Sequence, residues 1–331
     1  MTMPAIVAAQ PGEADVLKLV QRPIPTPQAG EVLIKIAAAG VNRVDVLQRL
    51  GRYTPPAGTS DILGVEAAGR IAAVGPGATR YKVGDAVCCL LIGGGYAGYC
   101  VVPEGQVLPV PAGLSMIQAA GLPETFITTW SALIDRGRLA AGESVLIHGG
   151  SSGIGTTGIM LSRMWGAKQI YVTVGSAEKC TACERLGATR AINYRTEDFF
   201  TVVRDATGGR GVDVILDMVA ADYVPRNMSL LADDGRLVFV GRQGALVDSP
   251  INPTPIMFKR LTITGLSLRG QSVERKSRIA RAVEQHAWPW LASGAIAPVI
   301  DRVYHLVQAA DAHRRIESSN HIGKLILEVP G

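Results

Sequence analysis

The chain has 331 residues, 47% of them apolar and 18% charged, with a formal net charge of +5. That length holds roughly two domains, and the balance is that of a globular protein rather than a disordered or fibrous one. The positive charge is spread out with no basic run, which speaks against nucleic acid as a partner, and no apolar stretch reaches the roughly 20 residues of a membrane span.

The opening segment, MTMPAIVAAQPGEADVL, has neither a charged n-region nor a sustained apolar core, so no signal peptide is expected. Five cysteines (Cys88, Cys89, Cys100, Cys180, Cys183) are few and odd in number, as expected of a reducing, cytoplasmic setting. Over residues 1–124, EVLIKIAAAGV, GRIAAVG, GDAVCCLL and YCVVPEGQVLPVP read as strands punctuated by Gly and Pro. They predict a compact, mostly antiparallel, barrel-like domain. From Pro123 the texture changes. SVLIH, QIYVTV, RAINY, VDVILDM and RLVFVG recur about every 20–25 residues with helical patterns between them. Alternation of this kind predicts βαβ units and a parallel sheet over 125–268. A sixth run, LTITGLSL (Leu261–Leu268), closes the series. The tail, 269–331, reads as helical and then as one strand, GKLILEV.

The stretch IHGGSSGIGTTGI follows the first parallel strand directly. A strand (Ser144–His148), a glycine turn (Gly149–Gly155) and then a helix is the arrangement that holds a pyrophosphate. Glycine lets the backbone turn and approach the anion, and the helix N-terminus offers free N–H groups. A glycine pattern alone is weak; this one lies in the strand–turn–helix context that gives it meaning.

The glycine spacing resembles that of short-chain dehydrogenases, but those need a Tyr with Lys four positions on. None of the eight tyrosines has one. AGVNRVDVLQRLGRYTPP, LGVEAAGRIAAVGPG, YKVGDAV and GGGYAGYCVVPEG resemble, in order and spacing, the medium-chain dehydrogenase/reductase superfamily, and within it the zeta-crystallin-like quinone oxidoreductases. The resemblance spans nearly the whole chain. It implies an α/β protein: a GroES-like catalytic domain at 1–124, a doubly wound Rossmann sheet at 125–268, and a C-terminal segment, 269–331, that returns to the catalytic domain. It also implies a homodimer joined through the edge strand at Leu261–Leu268.

Zinc enzymes of this superfamily carry Cys where this chain has Asn42 and His where it has Val65. An amide and an isopropyl group are not zinc ligands, so no metal is expected. The Cys180-Thr-Ala-Cys183 pair reads as two small residues on a helix. Cofactor choice rests on the end of the second parallel strand, where NAD enzymes place an acid. Here Gly175 and Ser176 stand in that place, with Lys179, Tyr194 and Arg195 near in sequence or by resemblance, which predicts NADPH. The resemblance further implies that Thr128, the turn Ser152–Gly153–Ile154, Val240, Gly241, Arg242, Ser267, Leu268 and Lys324 line the cofactor, and that Asn42 and Tyr53 are polar groups beside the acceptor. Asp45 is expected to order its loop rather than to titrate, and the histidines are assigned no chemistry. The leading reading is an NADPH-dependent quinone reductase. Reduction of an activated C=C bond, and a non-catalytic NADPH-binding role, are the alternatives.

Overall fold

The structure, a computed structural model, describes residues 1–241 and 251–330. The first third of the chain forms β1 (Thr2–Ala8), β2 (Leu17–Pro23), β3 (Glu31–Val41), β4 (Glu66–Val74), β5 (Ala86–Leu90), β6 (Tyr99–Pro103) and β7 (Val107–Pro109). The middle supplies β8 (Ser144–His148), β9 (Gln169–Val174), β10 (Arg190–Asn193), β11 (Val212–Asp217), β12 (Leu231–Phe239) and β13 (Thr262–Gly265). β14 (Ile300–His305) and β15 (Lys324–Glu328) come from the end. Two compact units result: Met1–Ile127 with the chain from Leu268 onward, and Thr128–Ser267.

In the first unit β3 is the organising strand. Its apolar run is long enough to take partners along its whole length: β4 on one side, β6 against Glu31–Lys35 and β15 against Ala38–Val41 on the other. β3 and β4 meet so closely that a Cβ on Gly69 would lie 2.0 Å from the Lys35 carbonyl oxygen; only glycine fits there. Val32, Ile34 and Ile36 of β3 pack with Ala67 and Ile71 of β4 and with Leu325 and Leu327 of β15 in one buried cluster. The tail holds one strand more than its sequence suggests. β14 runs parallel to β15, the helix Ala309–Glu317 lies between them in the chain, and no residue of β14 is fully buried. An exposed strand reading IDRVYH carries no apolar alternation to detect.

The second unit is a doubly wound parallel sheet of order β10-β9-β8-β11-β12-β13. The chain enters at β8, works outward to β10, then returns to the other side of β8 and works outward to β13. β8, β9 and β11 are buried on both faces, which explains their unbroken apolar runs. Val145, Ile147, Val172 and Leu216 face one helical layer, while Leu146, Tyr171 and Ile215 face the other. The fold is thus α/β with a β-rich unit beside it in the chain, as the sequence implied. Two boundaries move. β12 begins five residues before RLVFVG, because Asp233–Asp234 looks like a turn yet is absorbed by a kink with Asp234 at φ 59°. LTITGLSL forms strand only over Thr262–Gly265.

Candidate functional site

In the parallel unit the sheet reverses its winding between β8 and β11, the place where doubly wound sheets take ligands. There β8 ends at His148 and the turn begins. Gly149 has φ 73°, a left-handed conformation that favours glycine. A Cβ on Gly150 would lie 2.6 Å from Val172 Cβ, and one on Gly155 would lie 2.3 Å from the Gly149 carbonyl oxygen. The helix starts at Gly153, inside the glycine run, so the turn is shorter than the expected Gly149–Gly155. Ser152 is its N-cap, and its Oγ accepts from the Gly155 N–H at 3.0 Å. That leaves the N–H groups of Gly153 and Ile154 among the orphan donors of the first turn, an arrangement that fits a pyrophosphate.

β9 ends in Gly175 and Ser176. Ser176 caps the helix Ala177–Leu186 by accepting from the Lys179 N–H at 3.3 Å, which sets Lys179 in its first turn, half-buried. A Cβ on Gly175 would lie 2.8 Å from the Tyr194 hydroxyl, so the Tyr194 ring covers that glycine. Tyr194 and Arg195 are exposed, as is Glu178, the acid of this turn. The structure therefore brings Gly175, Ser176, Lys179 and Tyr194 to one strand end. Val240 follows β12, its N–H donating to the Asp217 carbonyl at 2.9 Å, and Gly241 is exposed. Thr128 is buried on the helix Pro123–Trp130, Ser267 is exposed and Leu268 is buried. Arg242 lies outside the described residues.

Beneath the glycine turn is a buried network that sequence reasoning missed. The Asp217 carboxylate accepts from the Val219 and Ala220 N–H groups (2.7 and 3.0 Å) and from Asn227 Nδ2 at 3.0 Å. Asn227 Oδ1 must then accept from His148 Nε2 at 2.8 Å, and His148 Nδ1 meets the Thr173 hydroxyl at 3.0 Å. Burial lowers the His148 pKa, so this imidazole is a neutral strut across β8, β9 and β11. On the neighbouring helix, Cys180 and Cys183 are free thiols, and burial pushes Cys183 up to about 12.

In the first unit the polar centre is Asn42, Glu66 and Lys324, all three buried. Lys324 Nζ donates to Glu66 Oε1 (2.6 Å), Asn42 Oδ1 (2.7 Å) and the Val41 carbonyl (3.0 Å). Asn42 Nδ2 donates to Glu66 Oε1 (2.9 Å) and the Gly40 carbonyl (3.3 Å). Glu66 Oε2 accepts from the Glu124 N–H at 2.9 Å. Lys324 has all three protons committed within its own unit and so anchors Asn42. Asn42 has both amide protons committed as well, which holds its loop in place.

Asp45 ties the same loop. It accepts from the Asn42 N–H (2.9 Å), the Tyr96 hydroxyl (3.0 Å) and the Gly64 N–H (3.2 Å), and burial raises its pKa to about 6. Tyr96 meets His313 Nε2 at 3.3 Å, and His313 Nδ1 lies 3.4 Å from Arg49, whose fork grips Glu317 at 2.9 and 2.7 Å. Arg49 only donates, so Nδ1 accepts and the His313 proton sits on Nε2. Tyr53, on the loop after the helix Arg43–Arg49, is half-buried, with the Arg269 guanidinium 5.2 Å from its ring centre.

Comparisons with known proteins agree across the chain. The family model for the alcohol dehydrogenase GroES-like domain matches residues 28–112, and that for zinc-binding dehydrogenases matches residues 153–285. Over 328 residues the sequence is 34% identical to a quinone oxidoreductase of Rattus norvegicus, covering 98% of this chain and 97% of the relative. The crystal structure of Escherichia coli quinone oxidoreductase complexed with NADPH has a TM-score of 0.88 at 28% identity, covering 98% of this chain and 99% of that one. The crystal structure of CurK enoyl reductase gives 0.87 at 28% identity, covering 99% of each. The zinc in the family model's name does not fit the residues present. An amide, an isopropyl group and a carboxylate already neutralised by an ammonium make no zinc ligand set, and no group of three or more His, Cys, Asp or Glu residues among the described residues could hold a metal.

Proposed function

Because the chain belongs to the quinone oxidoreductase family of the medium-chain dehydrogenase/reductase superfamily, we propose that it reduces a quinone by direct hydride transfer from NADPH, without zinc or flavin. The observation that carries this reading is the Lys324–Glu66–Asn42 cluster. Where a zinc enzyme would polarise its substrate with a metal, this chain spends its charges on holding a loop. That suits an acceptor electrophilic enough to need no Lewis acid. NADPH, when bound, supplies the hydride from nicotinamide C4. Ser152, Gly153 and Ile154 would hold the pyrophosphate; Ser176, Lys179, Tyr194 and Arg195 the 2′-phosphate; Thr128, Val240, Gly241, Ser267 and Leu268 the nicotinamide half. Tyr53 stays on the acceptor side. Positioning supplies most of the rate in such a transfer, and the Asp45 and Lys324 contacts do that for the Asn42 loop.

The likeness to an enoyl reductase favours a second reading, reduction of an activated C=C bond with the same parts. One experiment separates the two: NADPH consumption and product analysis with a simple quinone, a 2-alkenal and an enoyl-CoA. Quinone turnover well above the others is expected. A saturated aldehyde or acyl-CoA as the favoured product overturns the quinone reading, and no turnover of any acceptor assigns the chain a binding role. Stoichiometric zinc in the purified protein, lost together with activity on chelation, would overturn the metal-free assignment.

We also infer a homodimer. Among the described residues β13 is the edge of the parallel sheet and only partly covered, and open edges invite pairing with a second copy. Sedimentation at micromolar protein should give twice the chain mass; a monomer would remove the proposal. No helix among the described residues is long and apolar enough to cross a membrane. The five free thiols favour a cytoplasmic setting.

A further inference from the structure

Arg269 is a residue that the sequence did not single out. Its Nε donates to the Ile92 carbonyl at 2.7 Å, which fixes the plane of the guanidinium. The group lies over Tyr53, 5.2 Å from the ring centre. Its two terminal nitrogens, NH1 and NH2, are buried and have no hydrogen-bond partner among the described residues. A buried guanidinium with both ends of its fork unused is costly, and native folds rarely leave one so. The nearby carboxylate does not satisfy it. The charge of Arg269 is felt at Asp45, yet both Asp45 oxygens already accept from Asn42, Tyr96 and Gly64. The fork is therefore rigid, positively charged, dry, and open to an acceptor oxygen that the described residues do not provide.

We propose that Arg269 is the oxyanion-binding residue for the acceptor: its free N–H fork, backed by the Tyr53 ring, receives the substrate oxygen that gains charge during reduction. This rests on the quinone reading above. In the step, the C4–H bond of the dihydronicotinamide breaks and its hydrogen and electron pair form a new bond on the quinone. NADP⁺ and a hydroquinone monoanion result, and a solvent proton then neutralises the anion. Donors fixed in advance on a developing oxyanion are among the strongest contributors to catalysis. Arg suits that task because its planar fork stays charged at every working pH. The chemical class recognised is thus a carbonyl acceptor whose reduced form is a phenolate-like anion.

The test uses full-length protein and the variants Arg269→Met and Arg269→Lys. With a series of para-benzoquinones whose hydroquinones grow more basic, Arg269→Met should lose about tenfold or more in kcat. The loss should be greatest for the most basic product, steepening the dependence of rate on product basicity, while the NADPH dissociation constant is unchanged. A purely structural residue would not change that slope. Arg269→Lys should recover part of the rate. Arg269→Met gives up the Nε bond to the Ile92 carbonyl but also removes two buried donors unpaired among the described residues, so thermal stability should change little. Independently of turnover, wild type should bind 4-nitrophenolate, an unreactive mimic of the anion, and Arg269→Met should not. If wild type reduces no quinone but binds the phenolate through Arg269, the quinone reading falls and the oxyanion site stands. Equal slopes and equal phenolate binding in wild type and Arg269→Met would overturn the site itself.

Discussion

Lys179 occupies the third position of the helix that Ser176 caps, beside Gly175 and the Tyr194 ring. A 2′-phosphate held there by an ammonium gains a charge-assisted hydrogen bond worth about 1.5–3 kcal/mol, about ten- to a hundredfold in affinity. Lys179→Ala should therefore weaken NADPH by that factor and leave NADH nearly unchanged, and added salt should narrow the preference. Titration of both cofactors against both proteins decides it. Equal weakening of the two would place Lys179 in the support of its helix instead.

At the scale of elements, the strand–turn–helix at Gly149–Gly155 rests on two different devices. Ser152→Ala removes a cap and should cost about 1 kcal/mol of stability, with cofactor binding reduced only modestly. Gly155→Ala puts a methyl group 2.3 Å from a backbone oxygen that cannot yield. The helix start must shift, and NADPH affinity should drop at least tenfold while the sheet still folds; calorimetric binding of NADPH to each variant checks both. This element was legible in the sequence because glycine there is demanded locally, by φ and by close approach. So was the parallel sheet, since a strand buried on both faces must be written in unbroken apolar residues. β14 was not legible, because an exposed strand has no apolar code. The coupling of Asn42 to Lys324 was not legible either, for another reason. They lie 282 residues apart, and nothing local to either reveals that each consumes the other's hydrogen-bonding capacity. Arg269 was missed likewise, its environment being set by Tyr53 and Ile92.

For the molecule as a whole, stability against acid follows from two buried groups that pull in opposite directions. Burial, with the Arg49 charge beside it, lowers His313 to about 3 from an ordinary value near 6.5. Between those values the unfolded chain binds a proton that the native state refuses. Stability is then lost as pH falls below about 6.5, by up to about 1.4 kcal/mol per pH unit. Asp45, raised to about 6 from 3.8 by burial, acts the other way. Over that window the native state holds the extra proton, so this group contributes more as pH falls. His148, lowered by burial in the other unit, adds to the His313 side. Melting temperatures from pH 7 to 4 should therefore fall for the wild type, fall more steeply for Asp45→Asn, and fall least for His313→Gln. Identical profiles for the three proteins would show that neither group sets the acid response.

β3 has a consequence for the order in which a ribosome can build this protein. The parallel unit is one continuous stretch, Thr128–Ser267, and all its strand partners have emerged before the C-terminal segment is made. β3 must wait for β15, made only after the whole parallel unit, to fill the register at Ala38–Val41 and to deliver Lys324 to Glu66 and Asn42. Until then Glu66 is a carboxylate without its cation, and half of one side of β3 is an unpaired edge. Pairings of such large sequence separation form late, and chains with open edges are prone to associate in the interval. Truncation before Lys324 should accordingly leave a nascent chain whose middle resists protease while its N-terminal third is cleaved and held by chaperones. A strand made after the parallel unit thus decides when a strand made before it is finished.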